Sequence, residues 1–149
     1  MEVAGSSAYS KAMRTLKACD KNNSDSAIFV FYMGKISLDL DKKNLAKKYF
    51  KTTLKRDKGY FQAALGLGLL AEQDQKYKEA VGIYEKFLAV EPNNKMILSR
   101  IIQILFSMGT YDKIIPYAET LTQIDPSDLN LKVRLGTVSY THLTLPTKA

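Results

Sequence analysis

The segments DKKNLAKKYF (residues 41–50) and QKYKEAVGIY (residues 75–84) carry Ala46 and Ala80 at the same place, 34 residues apart, and that interval decides the fold. Gly34 and Gly68 keep the same interval, as do Pro92 in EPNN and Pro126 in DPSD, each at the turn that closes a unit. Three kinds of marker in one register predict stacked helix pairs, each burying its apolar face against the next.

Placing Ala46 and Ala80 at the twentieth position sets complete units at 27–60, 61–94 and 95–128. The register also interprets the ends. Ala12, Leu16 and Cys19 fall where Ala80, Tyr84 and Phe87 stand, so residues 8–26 read as the second helix of a half unit. Leu135 and Gly136 fall where Leu67 and Gly68 stand, so 129–137 opens a further, partial unit. The array over 1–137 is therefore expected to be cut at both ends. Within the third unit Ala64, Leu67, Gly68 and Ala71 share one helix face, and Ala80, Tyr84 and Phe87 another. Short polar connections, LDLDKKN, EQDQKY and SMGTYD, join antiparallel neighbours. The pattern predicts an all-α chain with helices at 9–20, 26–40, 43–56, 60–74, 77–90, 95–108, 111–124 and 128–137.

The order of apolar residue, Leu-Gly, apolar or aromatic residue, then Ala, aromatic and closing Pro resembles the tetratricopeptide repeat family over Tyr9 to Gly136, most fully in the third unit. The resemblance implies a right-handed α–α superhelix of antiparallel pairs with a concave groove lined by the first helices. Two departures bear on packing. Lys58 stands where proline is expected, with Gly59 beside it to break the helix. Ile102 and Ile114 occupy the two places where small residues let paired helices approach, so the fourth unit is expected to be the wider one. Pro116 falls inside the second helix of that unit and predicts a kink or a short first turn. Residues 138–149 break the register. VSYTHLTLPT resembles a translated sequencing-library transposon adapter, and it is read as a foreign tail that takes His142, the only histidine, out of consideration.

Composition narrows the function. Apolar residues at 46% and charged residues at 25% supply a packed core. No apolar run reaches the ~20 residues of a bilayer span. A single cysteine excludes an internal disulfide framework and any multi-cysteine metal site, and no metal-ligand spacing is present. No secretory signal opens the sequence, which favours a cytoplasmic location over a secreted one. Without a usable histidine, catalysis has only scattered carboxylates and Cys19 to draw on, and Asp39 and Asp41 read as helix caps. The chain reads as non-enzymatic, with no cofactor. Gly66, Gly68 and Ala71 spell G-x-G-x-x-A, but that fingerprint works only between a strand and a helix start, and here it lies inside a helix.

Two surfaces remain. Residues 42–58 hold eight basic side chains against Asp57, an excess equal to the net charge of +7 for the whole chain. That stripe reads first as a solvated helix face and second as an anion-binding surface, with nucleic acid disfavoured. The other surface follows from the resemblance, which places Ile28, Phe31, Lys35 and Leu38, then Gln62, Leu65, Leu69 and Glu72, then Met96, Ser99, Gln103 and Phe106 on the groove side of the first helices. Relatives that clamp a chaperone's C-terminal carboxylate use Lys and Asn on this stripe, a pattern this sequence lacks. The expected function is a protein-interaction scaffold taking a peptide or helix in the groove. The alternative is a spacer or oligomerisation segment of a larger enzyme or secretion-related protein, self-associating through exposed array ends.

Overall fold

A computed structural model describes residues 2–127, with side chains from residue 5 onward. These residues form helices α1 (Glu2–Asn22), α2 (Ile28–Asp39), α3 (Lys43–Arg56), α4 (Phe61–Gln73), α5 (Tyr77–Leu88), α6 (Lys95–Ser107) and α7 (Ile114–Ile124), and no strand occurs among them. The helix expected at 128–137, the partial unit and the tail lie outside the described residues. The chain divides into two compact units, Met1–Val90 and Glu91–Ala149. In the first, α2 packs on α3, α4 on α5, and α1 and α3 on the helices that follow them. In the second, α6 packs on α7.

The marker glycines lie against aromatic rings. A Cβ on Gly34 would stand 2.6 Å from the Phe50 ring, and one on Gly68 would stand 2.2 Å from the Tyr84 ring. Both rings are buried, and Tyr84 donates a hydrogen bond from its hydroxyl to Glu72 at 2.7 Å. Phe50 and Tyr84 are themselves one period apart, so each pair closes by a glycine on the first helix receiving an aromatic from the second. In the fourth unit the same two positions are Ile102 and Ala118, both buried. Large and small have changed places, which offsets the volume of Ile102 and leaves buried Ile114 as the net addition to that pair.

A second periodic device closes each pair. Asp41, Gln75 and Gly109 take positive φ of 54°, 59° and 70°, again 34 residues apart. In each case the next residue's N–H reaches back to a carbonyl five residues earlier: Lys42 to Ser37 at 2.8 Å, Lys76 to Ala71 at 2.9 Å, and Thr110 to Leu105 at 3.0 Å. This is the left-handed stop that satisfies the last carbonyls of a helix. Asp41 is thus the residue that reverses the chain. It does not cap α3, whose N-cap is Lys42 without a side-chain hydrogen bond.

Other local expectations also shift. α1 begins before Tyr9, and Ala12, expected on a core stripe, is exposed while Leu16 and Cys19 are half-buried. The reason is that α1 packs on α2, and among the described residues no first helix covers the face that Ala46 and Ala80 bury elsewhere. Around Pro116 the chain takes a 3-10 turn at Tyr111–Lys113 before α7 starts, so the proline sits in a first turn where its missing N–H costs no helical hydrogen bond. At Lys58, the Asp57 carboxylate accepts from the Gly59 N–H at 2.9 Å and supplies the turn that proline would have fixed.

Candidate interaction surface

The exposed side chains of α2 are Ile28, Tyr32, Lys35 and Asp39, spaced four, three and four apart and so on one face. Ile28 is 45% exposed and Tyr32 46%, whereas Phe31 is 8% exposed. Phe31 is a core residue. Its ring lies 4.8 Å from Tyr60, 5.8 Å from Phe50 and 5.5 Å edge-on from Tyr32. Leu38 is half-buried and packs on the same cluster, which includes Ala63 and Leu67 of α4. The accessible face of α2 is therefore rotated from the expected one: it keeps Ile28 and Lys35, gives up Phe31, and gains Tyr32. The signal that could have found Tyr32 is its spacing of four from Ile28, masked because IFVFYMG is apolar on nearly every side.

On α4 Gln62 is exposed, while Leu65, Leu69 and Glu72 are half-buried, and Glu72 is held by Tyr84. Leu67, two residues from both leucines, is buried in the core. In the second unit Met96 is 53% exposed and Phe106 39%, with Gln103 exposed and Ser99 half-buried between them. Phe106 is braced by an edge-on contact with Tyr111 at 5.5 Å.

Ion pairs tie the helices of this framework together, two of them between neighbouring repeats and one within the fourth unit. Arg56 of α3 binds Asp20 of α1 through both guanidinium nitrogens and donates to the Ser26 carbonyl at 2.9 Å. The hydrogen bond to Asp20 raises the Arg56 pKa further above its ordinary value. Lys47 of α3 pairs with Asp74 after α4, and Lys95 of α6 with Asp125 after α7. These hydrogen bonds hold both carboxyls below the usual carboxylate range, with Ser127 also donating to Asp125. Burial pushes the Tyr60 hydroxyl up, with Tyr32 and Asp57 adding to the shift.

Among the described residues no group of three or more His, Cys, Asp and Glu side chains could hold a metal ion, and no helix is long and apolar enough to cross a membrane. Neither a protein-family model nor a curated protein sequence matches the chain. Solved structures do. MamA residues 41–end from Desulfovibrio magneticus RS-1 superimposes with a TM-score of 0.64 at 19% identity, over 90% of this chain and 76% of that one. YrrB, a TPR protein with an unusual peptide-binding site, gives 0.67 at 17% identity over 85% and 66%. The first TPR of Spaghetti (RPAP3), bound to an HSP90 peptide, gives 0.63 at 13% identity over 79% and 94%. At these identities the likeness establishes a shared fold.

Proposed function

We propose that this chain, whose fold is that of tetratricopeptide repeat proteins, is a non-enzymatic interaction scaffold in which the first helices take a peptide or helix partner. One observation carries the reading: each unit leaves large apolar side chains accessible on its first helices, amid polar neighbours. These are Ile28 beside Lys35 on α2, Met96 and Phe106 around Gln103 on α6. Partly covered Leu65 and Leu69 flank exposed Gln62 on α4, and half-buried Leu38 edges α2. Apolar anchors at the ends of a helix face with polar groups between them suit an extended or helical ligand, and burying one such anchor contributes about 1.5–3 kcal/mol. Two proteins of this fold bind or hold a site for peptides, which supports the same use here.

The test is selection from a displayed peptide library, followed by the variants Leu69→Asp, Phe106→Asp and Leu67→Asp. A motif enriched on either compact unit should lose binding to that unit's variant, Leu69→Asp in the first or Phe106→Asp in the second, while those proteins melt within a few degrees of the parent. Leu67→Asp should instead unfold the first unit by burying an unpaired charge. No enriched motif, or a Leu69→Asp melt as poor as that of Leu67→Asp, would sink the proposal.

A further inference from the structure

The first unit has a second concavity, made by second helices. A groove of about 910 Å³ runs between α3 and α5 over α4, with Leu54, Leu67, Ile83 and Phe87 contributing to its apolar lining. Its rim is basic: Lys51 and Lys55 of α3 and Lys58 of the turn after it line one side, and Lys86 stands on α5. Lys51 and Lys55 are four apart on α3, which keeps them on one edge of the helix. Glu79 is the acidic side chain at the rim, and it faces Lys76 at 4.0 Å. Among the described residues none of the four rim lysines enters an ion pair, whereas Lys47 and Arg56 of the same helix are both committed to carboxylates. The groove is open where α5 carries Gly82, since a Cβ there would meet nothing within 4 Å.

We infer that this groove docks an acidic amphipathic helix, seating two or three apolar side chains between α3 and α5 and placing Asp or Glu against the lysines. The lining accounts for the apolar face, since each apolar side chain that enters it leaves water. The rim accounts for the charge: four cations against one already engaged acid leave an uncompensated positive border that attracts negative charge and repels basic helices. Lys51 and Lys55 stand about 6 Å apart along α3 at 1.5 Å per residue, close to one turn of a partner helix. This site is separate from the first-helix surface and does not depend on it.

The probe is a fluorescein-labelled synthetic helix with leucines at i, i+3 and i+7 flanked by glutamates. Controls are the same composition with the leucines scattered round the helix, and a version with lysine for glutamate. Fluorescence anisotropy on the full chain should show binding of the first peptide alone, weakening several-fold as salt screens the exposed lysines. Lys55→Glu combined with Lys86→Glu should weaken it at least tenfold. Gly82→Phe should do the same by filling the groove; it adds a side chain where space is open, and its circular dichroism should match the parent. Phe106→Asp, in the other unit, should bind as the parent does, so this result is read independently of the first-helix surface. Equal binding of the scattered peptide, or undiminished binding by both groove variants, would overturn the inference. So would co-sedimentation with anionic phospholipid vesicles, lost in the same variants, in the absence of peptide binding.

Discussion

Gly68→Ala adds one methyl group in a helix, where alanine is ordinarily favoured over glycine by about 0.8–1.0 kcal/mol. Here the Cβ would fall 2.2, 2.3 and 2.6 Å from Cε1, Cζ and Oη of Tyr84, roughly an ångström inside ordinary contact. The ring has nowhere to retreat, because it is fully buried and its hydroxyl is bound to Glu72. Overpacking costs about 1–3 kcal/mol, and losing the hydroxyl's hydrogen bond adds about 0.5–1.5 kcal/mol. Against the propensity gain, the net expected change is about 1–3 kcal/mol of destabilisation. Gly82→Ala supplies the internal control: the same substitution in open space should stabilise by about 1 kcal/mol. Thermal and urea unfolding followed by far-ultraviolet circular dichroism should move in opposite directions for the two variants, at roughly 2–4 °C per kcal/mol. The fourth unit suggests the repair, since Ile102 and Ala118 occupy the corresponding places there. Gly68→Ile with Tyr84→Ala should therefore melt above Gly68→Ile alone. If Gly68→Ala melts at or above the parent, the glycine is not needed for ring packing and the argument from the 34-residue spacing to close approach fails.

Asp41→Gly and Gln75→Gly should each stabilise by about 1 kcal/mol, because both residues hold the left-handed conformation that glycine adopts without steric cost; urea midpoints read this directly. Asn94→Ala should cost about 1 kcal/mol, since its side chain accepts from the Ile97 N–H at 3.1 Å and caps α6. Asp74→Asn should lower the melting temperature at neutral pH and lose that effect in acid. Its carboxyl is held below the unfolded value of about 3.9, so the stabilisation is present above that value and disappears as pH falls through the lower folded one. A melting difference that persists in strong acid would contradict the Lys47 pairing.

The fold is legible in the sequence wherever the signal is a repeated side-chain choice. Ala46 and Ala80, Gly34 and Gly68, and the aromatics opposite the glycines mark contacts that recur every 34 residues, and the helices α2 to α6 lie within a few residues of their expected spans. The left-handed stops recur as strictly but were not legible, because Asp41, Gln75 and Gly109 share a backbone conformation and no side-chain chemistry. The orientation of α2 was lost for a different reason. Phe31 and Tyr32 are adjacent aromatics on a helix with apolar residues all round, and only their neighbours Phe50 and Tyr60 decide which of them turns inward.

The basic stripe shows how far charge can be read without geometry. Along residues 42–58 the sequence presents eight similar cations, but the fold gives them different work. Lys47 and Arg56 meet carboxylates 27 and 36 residues away, separations that no local pattern reports, and those pairs tie neighbouring repeats together. Lys51, Lys55 and Lys58 stand instead along an apolar groove with Lys86 on its other side. Reading the stripe as one solvated face therefore averaged over structural and unengaged charge. The distinction matters for experiment: neutralising Arg56 should loosen α3 from α1, while reversing Lys55 and Lys86 should leave the melt nearly unchanged and alter only what the groove holds.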